Sequence, residues 1–129
     1  MSEVSGCTIV GGQEGIVTHS VQTMLMGNHV RQTQLRGIAV TEMSMGMVEH
    51  NDVHGARGIG IYCGDRSMCE LKHNVVSGTQ RDRTSSDPSR GGYALVSWFE
   101  SDAQVKDNVF VGNERRAGAF TRSTIRTMG

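Results

Sequence analysis

Three groups of side chains in this 129-residue sequence are of types that do chemistry. The first is charged and lies mid-chain: Glu49, Asp52, His54, Glu70 and Lys72. Carboxylates and an imidazole beside a lysine are the parts of an acid–base site, where one group lifts a proton and a cation steadies the charge left behind. Glu49, Asp52, His54 and Lys72 are the candidates for a catalytic role. The competing reading is an ion pair between Glu49 and Lys72 worth about 0–1 kcal/mol, on a face whose charges merely keep it wet.

The second group sits in TQRDRTSSDPSRGG (79–92), a polar stretch holding the one Pro, Pro88. Arg81, Arg83, Asp87 and Arg90 could contact an anionic sugar such as a uronate. Tyr93, Trp98 and Phe99 follow directly. An aromatic ring beside polar loop residues is suited to hold a sugar, with Trp98 as the platform. The plainer reading has Trp98 and Phe99 closing a corner of the fold. The third group is Met24, Met26, Met45, Met47 and Met68, five of eight methionines. Their thioethers suit adaptable apolar contacts and are also soft ligands for Cu(I). His50 and His73 each precede an Asn and are read as turn residues rather than metal ligands; no metal or cofactor is expected.

The elements that must carry these residues form a repeat. TMLMGNHV (23–30), GMVEHNDV (46–53), CELKHNVV (69–76) and AQVKDNVF (103–110) align with Asn28, Asn51, Asn74 and Asn108 in one column. These Asn stand 23, 23 and 34 residues apart, the last interval being one repeat plus eleven residues, which fall in 79–92. Leu25, Val48, Leu71 and Val105 form a second column, and Val30, Val53, Val76 and Phe110 a third. Val4, Cys7 and Ile9 continue them at the head of the chain. A further apolar column runs through GIV (15–17), GIAV (37–40), GIGI (58–61) and GYALV (92–96), and more weakly through GAF (118–120).

A period of 21–23 could mean leucine-rich repeats, but Leu is scarce, whereas three short strands per repeat account for the apolar doublets and the Gly and Asn punctuation. With 17 Gly, many Val, Ile and Thr, and little Ala or Leu, the chain is poor helix material. Strand alternation turns Met24, Met26, Met45, Met47, Glu49, Glu70 and Lys72 outward. Counting on past Asn51 places Asp52 and His54 on that same face.

The pattern hNxV…GIxV, as in EHNDVHGARGIGIYCG and KHNVV, resembles the right-handed parallel β-helix repeats of the pectate-lyase-like superfamily. That superfamily includes polysaccharide lyases, mannuronan C5-epimerases and NosD-type periplasmic proteins, and the resemblance covers most of residues 4–120. It implies an all-β, right-handed parallel β-helix of about five coils with the Asn column as a hydrogen-bonded ladder. Its lyases and epimerases act on an exposed sheet face, but no segment here matches their catalytic motifs closely.

One domain is expected over residues 1–129, comparable to part of a longer solenoid. Thirteen basic and thirteen acidic residues balance, which argues against a nucleic-acid partner, and no apolar run could span a bilayer. The head, MSEVSGCTIVGG, lacks a signal-peptide pattern, so the chain is expected in the cytoplasm as it stands, or outside if excised from a longer protein. Cys63 and Cys69 are either free thiols in a reducing compartment or a pair in an exported protein. The expected function is carbohydrate recognition through a flat sheet face and the 79–92 loop. The alternatives are a lyase or epimerase fragment, or an assembly module. Self-association is expected through Met24, Met26, Met45 and Met47 or through open coil ends, with the polar tail TRSTIRTMG (121–129) covering one of them.

Overall fold

The structure, a computed structural model, describes residues 2–128; Met1 and Gly129, the outermost residues of the head and tail segments, lie outside the described residues. The chain passes in turn through β1 (Ser2–Ser5), β2 (Thr8–Val10), β3 (Glu14–His19), β4 (Gln22–Met26), β5 (His29–Arg31), β6 (Arg36–Thr41), β7 (Met45–Glu49) and β8 (Asp52–His54). It continues through β9 (Ile59–Gly64), β10 (Met68–Lys72), β11 (Val75–Ser77), β12 (Tyr93–Trp98), β13 (Asp102–Lys106), β14 (Val109–Val111), β15 (Arg115–Ala119) and β16 (Thr124–Thr127). Every third strand joins the same parallel sheet. The first sheet is β1-β4-β7-β10-β13-β16, the second β2-β5-β8-β11-β14 and the third β3-β6-β9-β12-β15. The result is a three-sided β-solenoid of five coils plus one strand.

Register follows the apolar columns. Val4, Leu25, Val48, Leu71 and Val105 pair in sequence across the first sheet. Ile9, Val30, Val53, Val76 and Phe110 do so across the second. In the third sheet Ile16, Ile38, Ile61, Leu95 and Ala117 align. The match to 37–38 is therefore Gly60–Ile61, not Gly58–Ile59, a shift of two that leaves the facing of side chains unchanged. Sterics choose this register. A Cβ on Gly37 would lie 2.4 Å from Val53 Cγ1 and 2.6 Å from the Gly60 carbonyl oxygen, and Gly60 is equally tight against Val76 and Ala94. The columns meet inside as one core running the length of the stack.

The corner between the first and second sheets turns on a left-handed residue, Gly6, Gly27, His50, His73 or Asp107, just before the ladder position. Along the ladder, each Asn Oδ1 accepts from the backbone N–H and the Nδ2 of the preceding coil's Asn, at 2.9–3.1 Å. Cys7 N–H opens the ladder on Asn28 Oδ1. The corner between the third and first sheets carries a second ladder that the Asn column overshadowed. The Oγ atoms of Ser44, Ser67, Ser101 and Ser123 accept from the backbone N–H of Val21, Ser44, Ser67 and Ser101 in turn, at 3.0–3.4 Å. Beside it, Cys63 and Cys69 form a disulfide that joins β9 to β10 inside the stack.

Two expectations need correction here. The tail is not a polar cap: Thr124–Thr127 pair with β13 as the sixth strand of the first sheet. Asp52 and His54 do not share a face with Glu49, Glu70 and Lys72, because the Asn51 corner carries β8 into the second sheet.

Candidate functional site

The mid-chain charged group is thus split in two. On the first sheet, Lys72 faces Glu49 in register, yet no ion pair closes between them. On the second, Asp52 is held by Arg31 at 2.9 Å and lies 3.8 Å from His29, while His54 Nδ1 sits 2.8 Å from Ser77 Oγ. Asp52 and His54 therefore have local partners, and the two halves of the group lie on different sheets. His50 and His73, both at the left-handed corner position, stack ring on ring at 5.0 Å.

The 79–92 loop ties back on itself. Asp82 N–H donates to the Arg90 carbonyl at 2.9 Å, and Arg81 bridges to Gly91. Asp87 accepts from Ser89 N–H, which begins the short 3₁₀ turn Pro88–Arg90; that bond holds the Asp87 carboxyl below its ordinary pKa. Arg83 pairs with Glu114 at 3.3 Å and Arg90 with Asp82 at 3.9 Å. Of the three loop arginines expected to hold an anion, only Arg81 has no ion pair among the described residues. The loop lies at the Tyr93 end of β12 and Trp98 at the other, five strand steps or roughly 16 Å away. The two do not form one site.

Trp98 belongs instead to an aromatic row on the outer face of the third sheet. Its ring stacks parallel on Phe99 at 4.8 Å, meets Phe120 at 5.2 Å on another side, and its Nε1 donates to Thr121 Oγ1 at 3.0 Å. Phe120 in turn meets Tyr93 edge-on, and Arg115 lies over Tyr93. Trp98 is sandwiched, so the free aromatic surface is that of Phe99, which is 44% exposed.

Phe99 stands at the corner between the third and first sheets, where the first coil turns on left-handed Ser20 and the later ones on two left-handed residues each: Glu42–Met43, Asp65–Arg66, Phe99–Glu100 and Thr121–Arg122. Backbone bonds stack these turns, with Met43 N–H donating to Asp65 O, Arg66 N–H to Phe99 O and Glu100 N–H to Thr121 O, at 2.8–2.9 Å. Between the stacked turns runs a groove of about 470 Å³ lined by Glu42, Asp65, Arg66, Phe99, Glu100 and Thr121, among others. Arg66 pairs with Glu100 at 3.6 Å, and Glu42 with His19 at 2.9 Å.

A family model described as a right-handed beta helix region matches residues 1–126. The chain belongs to the right-handed β-helix family. No curated protein and no solved structure matches it. The groove of this β-helix was hidden in the sequence because its residues come from five different coils. The visible signal was an acid, Glu42, Asp65 or Glu100, recurring in the coils at the third corner.

Proposed function

We propose that this β-helix is a carbohydrate-binding module whose sugar contact is the groove at the third corner, with Phe99 as the platform. The observation that carries the reading is the Phe99 face, exposed at the head of a packed aromatic row and flanked by carboxylates and a guanidinium. Sugars are held in this way, with an apolar ring face on an aromatic and hydroxyls on planar polar groups. Because Arg66 already pairs with Glu100, and Glu42 and Asp65 leave the lining acidic, the groove suits a neutral sugar better than the uronate that the loop arginines suggested.

Trp98 is the one Trp in the chain and touches Phe99, so its fluorescence reports on the groove. A glycan array should identify a ligand, whose titration should shift Trp98 emission. Phe99→Ala should abolish binding, and removal of eleven residues from the 79–92 loop should leave it intact. Binding that survives Phe99→Ala but is lost with the loop would move the site to the other end of β12.

A further inference from the structure

The outer face of the first sheet is apolar at its centre and oppositely charged at its two ends. Alternation turns Met24, Met26, Met45, Met47 and Met68 outward from three neighbouring strands. Met45, Met47 and Met68 line a slot of about 150 Å³ there, and Met45 and Met68 are 50% and 52% exposed. The outward acids Glu3, Glu49 and Glu70 lie on β1, β7 and β10. The outward cations Lys72, Lys106 and Arg126 lie on β10, β13 and β16. Asp102 interrupts the basic end, but Arg126 already holds it. Among the described residues, Glu49 and Lys72 make no ion pair with any side chain.

We infer that this face binds a second copy of the chain, packed antiparallel about a two-fold axis that runs along the strands. Such an axis inverts the order of the six strands and keeps position along each of them. The sheet's centre falls between β7 and β10, so each outward residue of β7 faces its register partner on the second copy's β10. Met45 then packs on the second copy's Met68, and Glu49 meets its Lys72, each contact occurring twice. An axis along the stack would instead set Glu70 against Glu70 and leave Glu49 and Lys72 on methionines, so the charges select the antiparallel arrangement. Strands about 4.8 Å apart and roughly 16 Å long give a face of about 400 Å² per copy, at the low end for a specific interface. The dimer is therefore weak and salt-sensitive. Strand direction is kept, so the third corners of both copies lie along one edge of the dimer, where the proposed grooves form a bivalent pair. That consequence rests on the carbohydrate reading; the dimer does not.

Sedimentation equilibrium over a concentration series should show monomer and dimer, with a dissociation constant on the order of 100 μM that rises in about 1 M salt. Glu49→Lys and Lys72→Glu each turn both central ion pairs into like-charge contacts. Either one should weaken the homodimer at least about tenfold. Mixed in equal amounts, the two variants should form a heterodimer as tight as the wild-type homodimer, because every central contact is complementary again. A change confined to one chain's own stability cannot restore association in this way. Circular dichroism should be unchanged in both variants. A monomer at every concentration up to about 1 mM would overturn the inference. So would a dimer that neither substitution weakens, or two variants that stay apart when mixed.

Discussion

Replacing Asn51 with Ala tests the internal ladder at its centre. The Asn51 side chain makes four hydrogen bonds: Nδ2 donates to the Leu25 carbonyl at 2.9 Å and to Asn74 Oδ1 at 3.1 Å, while Oδ1 accepts from Asn28 N–H and Asn28 Nδ2, both at 3.0 Å. Asn28 Nδ2 keeps the Val4 carbonyl, and Asn74 Oδ1 keeps Asn51 N–H. Asn28 N–H keeps nothing, and Asn28 is fully buried, so water cannot replace the lost acceptor. An orphaned buried donor costs about 1–3 kcal/mol and each further lost bond contributes up to about 1 kcal/mol, which together come to about 3 kcal/mol. For a domain of this size that lowers Tm by roughly 10 °C. Urea unfolding followed by circular dichroism should show the midpoint fall with little change in slope. Asn108→Ala is the internal control, because its ladder bonds lie in a partly exposed outer coil and should cost less. If Asn51→Ala unfolds with wild type, or costs no more than Asn108→Ala, the ladder is not what orders that corner.

Other substitutions probe separate contacts. Gly37→Ala should destabilise by about 2–3 kcal/mol in the same unfolding assay, because its Cβ would meet a backbone oxygen that cannot move aside. Reducing Cys63–Cys69, or replacing both with Ser, should cost about 2 kcal/mol through the short loop it closes. Burial pushes the Tyr62 hydroxyl up to about 12, with the Asp65 charge adding to the rise. The unfolded chain releases that proton near pH 10, so the contribution of Tyr62 is complete below pH 10 and is lost as the pH climbs from 10 toward 12. Stability measured across that window should decline in wild type and lose this step in Tyr62→Phe.

The stack was legible in the sequence wherever one residue type had to recur. Asn28, Asn51, Asn74 and Asn108 revealed it because a buried corner needs a side chain that both donates and accepts. Alternation within a strand placed Met45, Met47, Glu49, Glu70 and Lys72 correctly. It failed at Asp52 and His54 because counting by twos assumes a straight strand, whereas the left-handed His50 and the Asn51 corner swing the chain onto another sheet. Trp98 drew attention over Phe99 as the larger ring, yet its size is what wedges it between two others. The Cys63–Cys69 spacing was compatible with thiols or a disulfide; both side chains point inward on either side of one corner, which brings them together. In the same way, TRSTIRTMG looked polar enough to be a cap, but Ile125 supplies the inward side chain that another strand needs.

The claim that the third corner is the binding site is tested most directly by amide chemical-shift mapping of the ¹⁵N-labelled protein as a bound glycan is added. The account predicts that perturbed amides cluster at Ser20, Glu42, Met43, Asp65, Phe99, Glu100 and Thr121, with the Trp98 indole N–H moving alongside them and the 79–92 loop silent. Shifts confined to Arg81, Arg83 and Arg90, or to the face bearing Glu49 and Lys72, would contradict it.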